Sequence, residues 1–461
     1  MTIWIATRLA CYISANKLVF YQGLRRNRKF RLEKLAIPKQ ITSAERLRDH
    51  FNGLFEQAKI VTRDYQTIFD GGFIDRVPFI ADLAVDRWRA LVSLLDEFDF
   101  RQFGQDVIGH IFEDLLSPEE RHRWGQHYTQ PVVVDVINAF CIRNPKAVVL
   151  DPSSGSGTFL VRAYARKRHL ARGALQHADL LAQLYACEIS EYASHLTSLN
   201  LATRDLIDGE NFPRVARADF FDTQSGRIFC SVPDTSKDVG TEATKDIHLN
   251  RVDAIVGNPP YLRQEEIGKP NKKSYTELVK DEWPGLKLSG RSDLHIYFWP
   301  HSCKLLDDGG YFGFLTSSSW LDVEYGFHLQ RWILQHFELV AVLESTCEPW
   351  FTGARVATCV TILRRCSDPV KRFKNLVRFV QFRKPLKEIL ANDGTEAGRQ
   401  EASEKLRGLI ESTEQDHRTA DYRILVVPGL PWPWNGRFLR LPDSPQTCAR
   451  PKSSRPFPRG C

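Results

Sequence analysis

Asn258-Pro259-Pro260-Tyr261 follows the apolar run Val252 to Val256, and its composition suits one difficult reaction. An exocyclic amine on an aromatic ring is a poor nucleophile, because its lone pair is delocalised into the ring. Two acceptors aimed at its two N–H groups draw the nitrogen toward a tetrahedral shape and localise the pair. The Asn258 side-chain oxygen can be one acceptor and the Pro259 carbonyl the other. Consecutive prolines restrict the backbone, so Pro259 and Pro260 hold these acceptors in place before a substrate arrives. Tyr261 offers a π face on which an extruded base can stack. No strong base is required, since the amine becomes acidic once alkylated.

A second group of residues lies 107 positions upstream (258 − 151). The run Ala147 to Leu150 leads into Asp151-Pro152-Ser153-Ser154-Gly155-Ser156-Gly157-Thr158 and then a helical stretch. Small residues let a backbone turn tightly and approach a ligand, and a helix N-terminus favours negative groups. A dinucleotide site would need a third glycine where Leu160 stands, and a P-loop would need a lysine after Gly157. The D-P-x-x-G-x-G-T order instead resembles motif I of S-adenosylmethionine methyltransferases. Glu188 ends the next strand, 37 positions after Asp151 (188 − 151), where an acid can accept from ribose hydroxyls. Asp219 and Phe220 follow a third short strand, Arg214 to Ala218. The aspartate can accept from an adenine amino group and the phenylalanine can stack on the ring.

These loops need a frame. Residues 1 to 115 repeat apolar positions at helical spacing, as in Trp88, Leu91, Val92 and Leu95, and Val107, Ile108, Ile111, Phe112 and Leu115. Ser117-Pro118 then breaks the chain. From Ala147 onward β-rich runs alternate with helices. The strands expected are Ala147 to Leu150, Leu184 to Cys187, Val252 to Val256, Tyr311 to Leu315, Leu339 to Leu343 and Ala357 to Leu363. Helices are expected near Thr158 to Ala171, Glu191 to Arg204, Leu294 to Leu306 and Trp320 to Phe337. This alternation implies an α/β fold, a mostly parallel Rossmann-like sheet with helices on both faces. Such sheets bind ligands at the carboxyl ends of their strands, where the motifs fall. Residues 231 to 250 read as an inserted polar loop. After Lys371 the pattern weakens, with a helical spacer near Lys387 to Glu411. Ser444 to Cys461 is too poor in large apolar residues to fold alone.

The 461 residues exceed one compact core. Hydrophobic residues at 43% and charged residues at 26% exclude a disordered chain. The net charge of +7 is compatible with a polyanion partner. Basic clusters at Arg25, Arg26, Arg28 and Lys29, at Arg166, Lys167 and Arg168, and at Lys269, Lys272 and Lys273 each read as a solvated face. The ten cysteines form no C-x-x-C pair, which points to free thiols in a reducing cytoplasm and to no metal. Arg8 interrupts the apolar start, so Met1 to Tyr12 reads as a packed helix rather than a signal segment, and no run is long enough to span a membrane.

With these motifs the chain resembles the N6-adenine DNA methyltransferases of the N-P-P-Y class, most of all type I modification subunits and type IIG and phage-exclusion enzymes. Gly125-Gln126-His127-Tyr128-Thr129 resembles the family's G-Q-x-[YF]-T-P box, with Gln130 standing between Thr129 and Pro131. Arg291-Ser292-Asp293-Leu294-His295-Ile296-Tyr297-Phe298 resembles its D-L-Y-x-x-F helix start. Leu305 to Tyr311 through Ser319-Trp320-Leu321 resembles its next strand and helix, and Phe351-x-Gly353-Ala354 with Ala357-Thr358 resembles its final hairpin region. The resemblance implies an S-adenosylmethionine pocket that includes Thr129, Asp151, Gly155, Gly157, Glu188, Asp219 and Phe220. It implies a catalytic loop of Asn258, Pro259, Pro260 and Tyr261. It implies double-stranded DNA with a flipped adenine as partner, and a separate specificity subunit. The division expected is 1–115 helical, 116–365 catalytic, and 366–461 a spacer with an incomplete recognition region. Trp432 to Pro442 resembles the entry to such a region, and without one the chain would not read a DNA sequence alone. No nuclease pattern is evident. The competing readings are a protein glutamine methyltransferase, an RNA adenine methyltransferase and a non-catalytic remnant subunit.

Overall fold

The computed structural model describes residues 3–26, 31–62, 69, 81–97, 129–205, 211–234, 244–289, 292–322, 324–350 and 357–428. The expected features at Val107 to Leu115, Ser117-Pro118, Gly125 to Tyr128, Phe351 to Ala354, Trp432 to Pro442 and Ser444 to Cys461 lie outside these residues.

The helices are α1 (Ile3–Arg26), α2 (Ala44–Thr62), α3 (Val85–Glu97), α4 (Pro131–Cys141), α5 (Thr158–Ala171), α6 (His177–Leu181), α7 (Glu191–Ala202), α8 (Lys269–Glu282), α9 (Leu294–Leu305), α10 (Glu324–His336), α11 (Pro369–Lys374), α12 (Leu386–Ile389) and α13 (Glu396–Ser412). The strands are β1 (Val149–Asp151), β2 (Leu184–Glu188), β3 (Arg214–Arg217), β4 (Arg227–Pro233), β5 (Thr244–Leu249), β6 (Val252–Gly257), β7 (Leu306–Ser317), β8 (Phe337–Ser345), β9 (Thr358–Arg365), β10 (Leu376–Phe382), β11 (His417–Arg418) and β12 (Tyr422–Pro428).

Ten strands form one sheet in the order β3-β2-β1-β6-β7-β9-β8-β10-β12-β11. From β3 to β7 every pairing is parallel, and β9 lies antiparallel between β7 and β8. Alternate residues of each strand feed two cores, as the period of a pleated strand requires. Ile255, Phe312 and Leu363 face α8, α9 and α10. Ala254, Val256 and Ile362 face α4, α5 and α13. This is the expected α/β architecture. A third core joins α1, α2 and α3 through Tyr21, Phe51 and Trp88, and it takes in Tyr192 and Leu196 of α7. The N-terminal helices therefore rest on a helix of the sheet.

Three expectations are corrected. Within the expected loop 231–250, residues 231–233 and 244–249 are strand: β4 and β5 pair as an antiparallel ribbon beside β3, with the Phe229 ring against Tyr185 at 5.3 Å. Its strands are largely polar because much of the ribbon is exposed. The weakening pattern after Lys371 concealed β10 and β12, which continue the sheet, while α13 packs on α4. Arg166 and Lys167 do not lie on a solvated face, since both are buried. Arg166 pairs with Glu404 of α13, and Lys167 Nζ donates to the Ala147 carbonyl. A buried cation needs such a partner. Lys269 and Lys273 are exposed, as expected.

The chain passes from β1 outward to β3 and returns through β6 on the other side of β1. The carboxyl ends of β1 and β6 thus form a topological switch point, the usual ligand position in such sheets.

Candidate active site

Asp151 ends β1 and is buried. Its Oδ1 accepts from the Ser153 N–H at 3.1 Å, while Oδ2 has no hydrogen-bond partner among the described residues. Burial pushes the carboxyl up to about 8, against the Ser153 N–H, and the charge of Glu188 adds to the push. The Glu188 carboxylate is itself raised by burial and accepts from the Gly155 and Ser190 N–H groups at 2.9 and 2.8 Å. Both glycines of the loop are left-handed, Gly155 at φ +54 and Gly157 at φ +88. They differ in surroundings. A Cβ on Gly155 would meet open space, whereas one on Gly157 would lie 3.1–3.2 Å from Thr197 atoms. Gly155 is the point where a ligand can approach the backbone. The missing side chain at Gly157 lets the loop pass close to α7.

Sequence reasoning missed the residues that hold this loop from behind. Thr197 Oγ1 donates to the Gly155 carbonyl at 2.8 Å, and Asn200 Nδ2 donates to the Ser156 carbonyl at 2.8 Å. Both lie on α7.

Folding places a proton on Asp151 over a window that the unfolded chain does not share. An unfolded aspartate titrates near 4 and the folded one near 8, so the folded state binds the extra proton between them. Its contribution to stability is full below the lower value and is lost as pH rises through the upper one. The ligand-free chain should therefore lose melting temperature as pH rises from about 4 to about 8. Asp151→Asn should flatten that slope, and equal slopes in thermal melts of the two proteins would remove Asp151 as its source.

The β6 loop lies directly alongside. Gly257 precedes Asn258, and a Cβ there would stand 2.9 Å from Asp151 Oδ1. Only a glycine lets the two strand ends approach in this way. Ser153 Oγ donates to the Asn258 carbonyl at 3.3 Å, and Asn258 Nδ2 donates to Thr129 Oγ1 at 3.0 Å. Thr129 is buried just before α4, whose first residue is Pro131. The additional Gln130 is accommodated by turning its amide to the Pro349 carbonyl at 2.8 Å. With the amide nitrogen engaged on Thr129, Oδ1 is the atom Asn258 can offer to another group. The Tyr261 hydroxyl donates to the Leu315 carbonyl of β7 at 2.9 Å, which fixes the plane of a half-buried ring.

The third strand end is built differently from the expectation. Asp219 accepts from the Phe221 N–H and from the Tyr275 hydroxyl, at 3.1 and 2.7 Å. Phe220 is 3% exposed, with its ring stacked on Phe298 at 5.4 Å and against His301 at 4.9 Å. Its ring packs among the aromatic side chains of α9. The structure thus brings Thr129, Asp151, Gly155, Glu188 and Asn258 into one linked group.

An acidic residue and a glycine turn at β1 are thus joined at a switch point to an N-P-P-Y turn at β6. Residues 182–351 match the Eco57I restriction-modification methylase family model. The type II methyltransferase M.XamI of Xanthomonas campestris pv. amaranthicola is 28% identical over 280 residues, which cover 59% of this chain and 45% of that protein. The type IIG restriction endonuclease BpuSI shares the fold at a TM-score of 0.59 and 15% identity, over 91% of this chain and 42% of that one. The type I methyltransferase subunit of Streptococcus thermophilus shares it at 0.52 and 16% identity, over 92% of this chain and 90% of that one. The family match spans less than half of the chain, and the solved structures share its fold. The chain spans less than half the length of the first curated relatives it matches.

Proposed function

We propose that the chain transfers a methyl group from S-adenosylmethionine to N6 of adenine in double-stranded DNA, within a restriction-modification or phage-defence system. The observation that carries this reading is the contact between the two loops, Ser153 to Asn258 and Asn258 to Thr129. The residues present suit the cofactor. Asp151 Oδ2 is buried with no hydrogen-bond partner among the described residues, and the backbone at Gly155 borders open space. Asp151, Gly155, Glu188 and Thr129 would hold it, with Gly157 shaping the loop and Asp219 at the adenine end. When bound, S-adenosylmethionine supplies the electrophilic methyl group.

The chain's own residues prepare the amine. Asn258 Oδ1 and the Pro259 carbonyl accept its two N–H bonds and leave the lone pair directed at the cofactor pocket. Pro260 keeps the turn rigid, and Tyr261 stacks on the extruded base. After transfer the nitrogen is acidic and gives its proton to water. DNA and a separate specificity subunit are the partners this reading names. Among the described residues no group is arranged to hold a metal, and no helix is long and apolar enough to cross a membrane.

The deciding experiment offers labelled S-adenosylmethionine to the chain with DNA, RNA or protein. Label in N6-methyladenine of DNA is the expected result, and label only in RNA or in a glutamine amide would overturn it. Tyr261→Ala should weaken binding of DNA carrying an extruded base by about 1–3 kcal/mol, the scale of one base–aromatic stack. Tyr261→Phe keeps the ring and loses only the tie to Leu315, so it should fall between. Equal binding by all three proteins, measured by titration with 2-aminopurine DNA, would separate Tyr261 from the base.

A further inference from the structure

His295 lies in the first turn of α9 and is 1% exposed. Neither ring nitrogen has a hydrogen-bond partner among the described residues. Ser292, three residues earlier, is also fully buried, and its hydroxyl likewise has none among them. Leaving a buried donor and acceptor unmet costs free energy that a leucine or phenylalanine would not incur. A polar ring persists in such a place when a partner arrives in another state.

The position indicates that partner. The His295 ring centroid is 6.0 Å from that of Tyr261, and the two planes are tilted by 34°. The start of α9 is tied to the same loop, with the Leu294 N–H donating to the Leu262 carbonyl at 3.0 Å and the Gln264 N–H to Asp293 Oδ1 at 3.3 Å. The imidazole is thus held beside the turn that would receive the base. Burial lowers its pKa to about 3, so the ring is neutral and presents one N–H and one bare nitrogen. The D-L-Y-x-x-F pattern has a tyrosine where this chain has His295.

We propose that His295 donates a hydrogen bond to a ring nitrogen of the extruded purine, making it a base-reading residue of this site. The inference rests on the adenine reading above. It divides the work on the base: Asn258 and Pro259 take the amino group, Tyr261 takes a face, and His295 takes an edge nitrogen.

The test compares the parent chain with His295→Leu and His295→Gln, on duplexes carrying adenine or its 1-deaza, 3-deaza or 7-deaza analogue at the target. His295→Leu should bind S-adenosylmethionine like the parent and melt no lower, since it removes an unmet polar group. Its kcat/KM on adenine DNA should drop about tenfold or more, and His295→Gln should recover part of the loss. One deaza analogue should cost the parent a similar factor and cost His295→Leu nothing further. A leucine variant as active as the parent overturns the inference, as does an equal additional loss on every analogue. A parent chain inert on adenine DNA overturns the adenine reading and this inference together, and the parent arm alone reveals it.

Discussion

Asn258→Ala should lose methyl transfer by about a hundredfold or more, the usual cost of removing one preorganised polar group from a reacting centre. The side chain has two tasks at once. Its Nδ2 donates to Thr129 Oγ1 at 3.0 Å, and in the proposed reaction that bond orients the amide so that Oδ1 would face the amine. Alanine removes the acceptor and leaves the Thr129 hydroxyl without this donor. The loop itself should survive, because Ser153 binds the Asn258 backbone carbonyl and not the side chain. Calorimetric titration should therefore show cofactor affinity near the parent's while single-turnover transfer from labelled cofactor collapses. Thr129→Val should give a smaller loss of the same kind, since Oδ1 remains but its orientation is no longer held. Undiminished transfer by Asn258→Ala would sink the proposed chemistry. Transfer and cofactor binding falling together would show that the alanine had disturbed the β1 loop instead.

The two loops were legible because glycine and proline mark where an apolar strand stops. The rule that ligands gather at strand ends then brings them together. What escaped was tertiary. Thr197 and Asn200 sit on a helix buried from Tyr192 to Ala202, so no apolar stripe distinguishes the side that holds the loop. Gly257 looked like the end of an apolar strand, and only the approach of Asp151 Oδ1 shows why a larger residue fails there. Phe220 is offered to an adenine ring by its aromatic type alone, and its packing against the rings of α9 depends on tertiary structure. Arg166 and Lys167 looked solvated because charge runs usually are, and the acidic partner lies 238 positions away in sequence (404 − 166). His295 was read as part of a helix start, and its isolation is a property of packing alone.

Gly157→Val should abolish cofactor binding, for a reason that lies on the far side of the loop from any ligand. The residue sits at φ +88, where a β-branched side chain is a severe outlier, and the strain alone costs about 1–3 kcal/mol. The added Cβ would meet Thr197 Cγ2 at 3.1 Å, with the Thr197 Cα and Oγ1 at 3.2 Å. Thr197 cannot easily withdraw. Its hydroxyl holds the Gly155 carbonyl at 2.8 Å and lies 3.2 Å from Ser154 Oγ, so a retreat of α7 releases the turn that faces the pocket. Valine would therefore move Gly155, and with Gly155 the N–H that Glu188 holds at 2.9 Å. Titration with S-adenosylmethionine should show little heat, alongside a lowered melting temperature without ligand. Gly155→Ala provides the contrast: its φ of +54 is also strained, but its Cβ meets nothing within 4 Å, so the ligand-free fold should suffer less. Thr197→Ser removes the nearest contact, Cγ2, and keeps the hydroxyl. Combined with Gly157→Ala, it should restore part of the affinity that the single alanine loses. No recovery in that double variant, with Gly157→Ala folded as well as the parent, would place the Gly157 side chain against the ligand instead of against α7.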